Sequence, residues 1–192
     1  AAAVVLTAEE IVTLRADLRD SVEAKAVEAG RKLAEDTSPA GLDAMLDELA
    51  IGAPPKVQAE LIAGVAARKD PRALDVLLHY AQNRNVQLRK KAVVGVGEIK
   101  DAKVVPALLQ ALADNASDVR AAAAREWADA QRQALLRASR PFVTETAMSH
   151  PSRLALIAQA RSLGYEVVLY AMCVDEPRRL LQRVSQRVRE GG

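Results

Sequence analysis

Aromatic residues are scarce in this chain of 192 residues, which contains one Trp, one Phe and three Tyr. β-Sandwiches and base-stacking surfaces for single-stranded nucleic acid both depend on aromatic side chains, so the composition argues against either. Half of the residues are hydrophobic and the net charge is only +2, which excludes disorder throughout. We therefore expect helices packed on helices.

Cysteine and histidine are equally scarce. Cys173 is the only thiol and there are two histidines, so the sequence predicts no intrachain disulfide, no metal site and a reducing, cytoplasmic location. No apolar run approaches the ~20 residues of a membrane span. The apolar start, residues 1–6, lacks the basic region of a signal peptide. We expect no membrane partner.

Lysine disappears from the last third of the chain. Residues 1–130 contain eight Lys and nine Arg with a net charge of −3, whereas residues 131–192 contain ten Arg, no Lys and a net charge of +5. Such a shift in composition supports a domain boundary near Ala130. We predict a helical domain over 1–130 and a second segment over 131–192.

The middle of the chain repeats with an offset of 31 residues. Apolar residues recur at this offset in three successive helices: Val57, Leu88 and Val119, then Leu61, Ala92 and Ala123, then Val65, Val96 and Trp127. Spacings of four and eight residues mark one face of a helix. The turn Lys69-Asp70 recurs as Lys100-Asp101, followed each time by another apolar helix. Each unit is therefore predicted to be a pair of antiparallel helices.

The repeat is fainter before residue 54. We predict a long amphipathic helix over 8–35 and a degenerate helix over 38–52 that begins at Ser38-Pro39. One helix pair cannot bury its apolar face alone, so we expect the pairs to stack into an array with these N-terminal helices as its cap.

Aliphatic-Arg pairs open two successive predicted helices, at Leu88-Arg89 and Val119-Arg120, and Asp101 precedes the predicted helix from Val104. The resemblance of residues 54–130 to short HEAT-like repeats rests on these motifs. It implies a helical solenoid that binds a protein through its concave face, with no cofactor.

Four basic residues form a possible interaction patch on the second repeat: Arg84, Arg89, Lys90 and Lys91. Such a cluster can bind phosphate groups. The other interpretation is a solvated helix face plus a packing Arg, and the negative net charge of residues 1–130 favours it over nucleic-acid binding.

A different pattern follows residue 140. Residues 142–146 form a short β-branched segment, a helix signal over 149–152 precedes a helix ending at Gly164, and residues 165–174 are almost continuously apolar. Pro177 then opens a last helix. This order predicts a partial α/β unit, βαβα with parallel strands, after the mainly α solenoid.

Residues 132–192 contain three motifs in order: a predicted strand with Glu145-Thr146 followed by Ser149-His150-Pro151, Gly164-Tyr165 at the entry to the next predicted strand, and an Arg-Val repeat ending in Gly-Gly. In these motifs the segment resembles the zeta-toxin family of P-loop kinases. The resemblance implies that Glu145 and Thr146 face an acceptor substrate such as a nucleotide sugar. It also implies that Arg183 and Arg187 lie near nucleotide phosphates.

The loop that such a kinase needs is missing from the sequence. No G-x-x-x-x-G-K-[ST] motif occurs, and no catalytic Asp can be identified, although phosphoryl transfer requires both. We therefore predict no catalytic residue and a protein-interaction scaffold with a catalytically incomplete appendage. Two alternatives stay open: an ATP- and Mg-dependent small-molecule kinase whose phosphate loop lies elsewhere, and an artificial chimera.

Overall fold

The computed structural model describes residues 4–99, 101, 103–145 and 152–170, together with 178, 182, 185, 186 and 189. The chain divides into two compact units, Ala1–Ala134 and Leu135–Gly192. The described part contains nine α-helices: α1 Ala8–Asp17, α2 Glu23–Glu35, α3 Pro39–Ile51, α4 Pro55–Arg68, α5 Leu74–Tyr80, α6 Val86–Glu98, α7 Val104–Ala111, α8 Ser117–Arg137 and α9 Ser152–Ser162. A short 3₁₀ turn, Pro71–Ala73, precedes α5.

The first unit is a stack of helix pairs, as the repeat predicts. Helix α2 packs on α4 and α4 packs on α6, while α1, α3, α5 and α7 lie against this row as a second layer. The residues that recur at 31-residue spacing form the core between the layers, and Val57, Leu61 and Val65 are fully buried. Each such side chain contributes about 1.5–3 kcal/mol. The mainly α, HEAT-like part of the predicted fold is thus present.

The N-terminal region is a further helix pair, so the prediction of one long helix over 8–35 is wrong. The helix stops after Asp17, and the Asp20 carboxylate accepts a hydrogen bond from the Val22 amide at 2.9 Å. This Asx turn reverses the chain, and Leu18 is fully buried beside it. The predicted helix at 38–52 is confirmed as α3, whose N-cap Ser38 accepts from the Gly41 amide.

Close approach between neighbouring helices depends on glycine. A Cβ atom on Gly64 of α4 would lie 2.6 Å from Ala34 Cβ of α2, and one on Gly95 of α6 would lie 2.8 Å from Ala66 Cβ of α4. Both distances are shorter than carbon atoms tolerate, so a larger residue would push the helices apart. The interhelical spacing of the stack therefore requires these two glycines.

The second unit contains the C-terminal end of α8 and helix α9. Helix α9 confirms the predicted helix before Gly164, which adopts a left-handed φ of 83° after the helix ends. Residues 142–145 and 165–170, predicted to belong to strands, are in no ladder, and the one isolated bridge among the described residues joins Val4 to Asp36. The partial α/β unit is therefore not confirmed.

The exposure of these segments differs from that expected for a covered strand. Val143 is 100% exposed and Tyr170 is 92% exposed. A parallel strand needs partners for its backbone groups and a layer on each face, and neither is supplied among the described residues. The remainder of the predicted second strand, residues 171–174, lies outside them, as does most of the predicted last helix.

Tyr165 joins the ends of the two helices in this unit. Its hydroxyl lies within hydrogen-bond reach of the carbonyl oxygens of Leu135 and Arg140, at 2.9 and 3.1 Å. Its ring meets Phe142 edge to face. Because the last carbonyls of a helix lack partners within the helix, the Gly-Tyr motif acts here as a cap on the end of α8.

Candidate interaction surface

Helices α2, α4 and α6 form a continuous row with the start of α8, and their outward side is the candidate interaction surface. Small or apolar residues occupy its centre, where Ala63 is exposed and Ala59 and Val94 are half-buried. Charged residues flank them, with Lys32 on α2 and Arg125 on α8. The surface thus has an apolar centre and charged ends.

Arg89 of the predicted basic patch is held by the next repeat. Its Nε and Nη2 donate to the two carboxylate oxygens of Asp114 at 2.8 and 2.9 Å. Its Nη1 donates to the carbonyl oxygens of Asn83 and Arg84. Hydrogen bonding from Arg89 is the main cause that lowers the pKa of Asp114, although burial opposes it. This planar fork, matched to one carboxylate, fixes one repeat against the next.

The other three patch residues do not converge on one site. Lys90 pairs with Asp118 of α8 at 3.0 Å. Arg84 is exposed in the turn before α6, and Lys91 is half-buried on α6. Two of the four positive charges are therefore neutralised by internal carboxylates, which leaves a weaker field than the sequence implies.

Further ion pairs cross between neighbouring helix pairs. They join residues about 30 positions apart: Glu23 with Lys56, Asp43 with Arg72, and Lys69 with Glu98. These side chains are largely exposed, and each such pair is worth only about 0–1 kcal/mol. Their contribution is to the register between repeats more than to stability.

Two buried carboxylates in the first half of the stack were not identified from the sequence. Glu48 of α3 is 2% exposed, and Arg15 Nε lies 2.8 Å and Arg19 Nη2 2.7 Å from its oxygens. Asp36 is fully buried; burial raises its pKa, but hydrogen bonds from Ser38 and from the Leu6 amide outweigh that effect and the pKa is lowered. Both carboxylates are partnered and serve packing.

A third buried carboxylate, Glu126 on α8, differs from these. It is 8% exposed, and its side chain lies over Gly97 of α6. Burial, and then the like charge of Glu98, raise its pKa, while Arg125 and Lys69 act in the opposite direction. Positions 64, 95 and 126 are equivalent in the repeat, and Glu126 replaces the glycine of the first two. This departure from the repeat is the sequence signal that could have identified Glu126 as unusual.

The residues expected to face substrate and nucleotide are only partly described. Glu145 is exposed to solvent. Thr146, Arg183 and Arg187 lie outside the described residues. His79 is exposed on α5 and stacks edge-on against Tyr80, and no group of metal-ligating side chains is found in the described part of the chain. Within the same limits, no helix is long and apolar enough to cross a membrane.

Comparisons with known proteins support two regions of resemblance. A search of curated proteins finds no match. The family model of HEAT repeats matches residues 42–128, so the match begins within α3, earlier than the repeats were recognised from sequence. The family model of the zeta toxin matches residues 101–192, also beginning earlier than expected. The chain is therefore similar to HEAT repeats over residues 42–128 and to the zeta toxin over residues 101–192.

Proposed function

We propose that the protein is an interaction scaffold whose HEAT-repeat array binds a protein partner through the outward side of α2, α4, α6 and α8, as its concave face. The observation that carries the proposal is the apolar centre of this surface, with Ala63 exposed between charged ends. Stacked helix pairs characteristically present such extended surfaces to other macromolecules.

The charge distribution favours a protein over a nucleic acid. Arg89 and Lys90 are paired with Asp114 and Asp118, and residues 1–130 have a net charge of −3. Binding to nucleic acid needs several cations free to neutralise phosphates. A partner that presents a small apolar face with acidic residues opposite Lys32 and Arg125 fits this surface better.

A photo-crosslinking residue placed at position 63 tests the proposal. We expect it to capture a discrete partner, whereas the same group placed at position 50, exposed on α3, does not. The captured protein is then purified and its affinity for the chain is measured by calorimetry.

Two matched variants complete the test. Ala63→Arg and Ala50→Arg introduce the same side chain at exposed positions of adjacent helices. Ala63→Arg should weaken binding at least tenfold, and Ala50→Arg should leave it unchanged. Equal affinities for both variants would mean that the partner binds elsewhere. We further propose a cytoplasmic location, in keeping with the single cysteine.

For the C-terminal region we propose a catalytically incomplete relative of the zeta-toxin kinases. The family match over 101–192 favours the second candidate, a small-molecule kinase that uses ATP and Mg²⁺. The sequence does not fit that cofactor set, because no G-x-x-x-x-G-K-[ST] loop is present to hold the phosphates.

Calorimetry with Mg-ATP separates the two candidates. We expect no binding tighter than about millimolar, because isolated arginines do not replace a nest of backbone N–H groups and a Lys. Micromolar, Mg-dependent binding that is weakened by Arg183→Ala, with Arg161→Ala as the control, would establish the kinase alternative.

A further inference from the structure

Glu126 stands where the two preceding repeats have glycine. Gly64 of α4 and Gly95 of α6 provide room for the adjacent helix of the row, and 31 residues further on the equivalent residue of α8 is Glu126. A Cβ on Gly97 of α6 would lie 2.4 Å from Glu126 Cβ. Between α6 and α8 the glycine is thus Gly97 on α6, and the side chain of Glu126 on α8 occupies the space beside it.

The surroundings of this carboxylate do not neutralise it fully. Among the described residues, the charged groups that influence Glu126 are Glu98 of α6, Lys69 at the C-cap of α4, and Arg125 on α8 itself. Lys69 is already paired with Glu98. An ionised Glu126 therefore loses hydration on burial, and it forms no ion pair within the part of the chain that the structure describes.

A second polar group at this interface also lacks compensation. The indole N–H of Trp127, the next residue along α8, is buried, and no acceptor is within hydrogen-bond reach in the described structure. The equivalent residues in the two preceding helices are Val65 and Val96, which carry no polar atom. The contact between α6 and α8 thus combines a buried carboxyl and an unpaired donor where the earlier contacts are apolar.

We propose that this contact is a pH-dependent joint, closed when Glu126 is protonated and loosened when it is ionised. Burial beside Glu98 favours the neutral carboxyl in the docked state, so the stabilisation is complete at pH below the unfolded-state pKa. It is lost as pH rises through the elevated pKa of the docked state. At neutral pH α8 is then the most easily released helix of the row α2, α4, α6 and α8.

Amide hydrogen exchange on the full chain tests the joint. Protection factors, which are corrected for the intrinsic pH dependence of exchange, are measured for residues 119–128 between pH 4 and pH 8. Protection in the wild type should fall as pH rises, whereas Glu126→Gln should stay protected at pH 7. The ratio between the two proteins should grow by no more than tenfold per pH unit.

Two further variants make the outcome unambiguous. Glu60→Gln, the same change at a half-buried residue of α4, should keep the wild-type pH profile. Glu126→Gly restores the residue found in the earlier repeats and should behave like Glu126→Gln. A wild-type pH profile in both Glu126 variants, lower protection than wild type at pH 7, or failure of both to fold would overturn the proposal.

Discussion

Exchanging the small residue between two adjacent helices tests how the stack is spaced. In Gly95→Ala the new Cβ would lie 2.8 Å from Ala66 Cβ, with the Leu77 methyl groups at 3.1 Å. Overpacking costs about 1–3 kcal/mol, and the higher helix propensity of Ala returns about 1 kcal/mol. We therefore expect Gly95→Ala to lower the free energy of unfolding by up to about 2 kcal/mol.

The double variant Gly95→Ala/Ala66→Gly should recover that loss. Ala66→Gly alone costs about 1 kcal/mol of helix propensity, and Ala63→Gly, at an exposed site of the same helix, measures that cost without any change in packing. In the double variant the methyl group moves across the interface and the clash with Ala66 disappears, which leaves only the milder contacts with Leu77. Urea denaturation followed by circular dichroism should then give a stability close to wild type, with a favourable coupling of about 1–3 kcal/mol. Strictly additive effects would refute the proposed close approach.

Three other predictions concern contacts between repeats and helix ends. Asp114→Asn should lower the free energy of unfolding by about 1.5–3 kcal/mol at neutral pH. It should also reduce the loss of stability in acid: the pKa of Asp114 is lowered in the folded state, so its stabilisation is complete above the ordinary value of 3.8 and is lost as pH falls below it. An unchanged acid dependence would contradict this. Tyr165→Phe should cost about 1 kcal/mol and increase amide exchange at the end of α8, whereas Tyr170→Phe, at an exposed site, should change neither. Gly164→Ala should destabilise the second unit by about 1–2 kcal/mol, and Ser139→Gly should stabilise it because Ser139 also has a positive φ of 52°; thermal melts showing the opposite signs would exclude both assignments.

The repeat could be predicted from the sequence because apolar residues at a constant spacing define it. Val57, Leu88 and Val119 recur at one spacing, and all three are buried. A buried position tolerates few residue types, so the periodicity of apolar residues is visible in the sequence at the positions that pack in the core. The pairing of Arg89 with Asp114 was not predicted, because the sequence alone does not show whether a charged side chain is exposed to solvent or forms an ion pair.

Local turn chemistry explains the error at the N-terminus. Residues 8–35 have an apolar periodicity that continues across the break, but the Asp20 carboxylate binds the Val22 amide and reverses the chain. Asp and Ser are compatible with both a helix surface and a turn. Only the packing of α2 against α4 decides between them, and that contact joins residues distant in sequence.

The strand predictions rested on residue type alone. Residues 165–170 are aliphatic or aromatic except for Glu166, yet Val168, Leu169 and Tyr170 are all exposed. A strand is stabilised by the strands beside it, so apolar composition without identified partners cannot establish a sheet. Glu126 was missed because the third repeat helix was identified only from its apolar residues, Val119, Ala123 and Trp127, and a charged residue between them does not enter that pattern.

The two family matches overlap at residues 101–128. Helices α7 and α8 place Val104, Leu108 and Val119 in the core of the repeat array, so the overlapping stretch is structurally a repeat. The zeta-toxin motifs recognised in the sequence, by contrast, all follow residue 141. The motifs that carry the kinase-like resemblance thus all lie in the second compact unit, Leu135–Gly192. The proposed partner surface on α2, α4 and α6 and the residues proposed for nucleotide under the kinase alternative therefore share no residue, so each proposal is tested by its own variants, Ala63→Arg for the first and Arg183→Ala for the second.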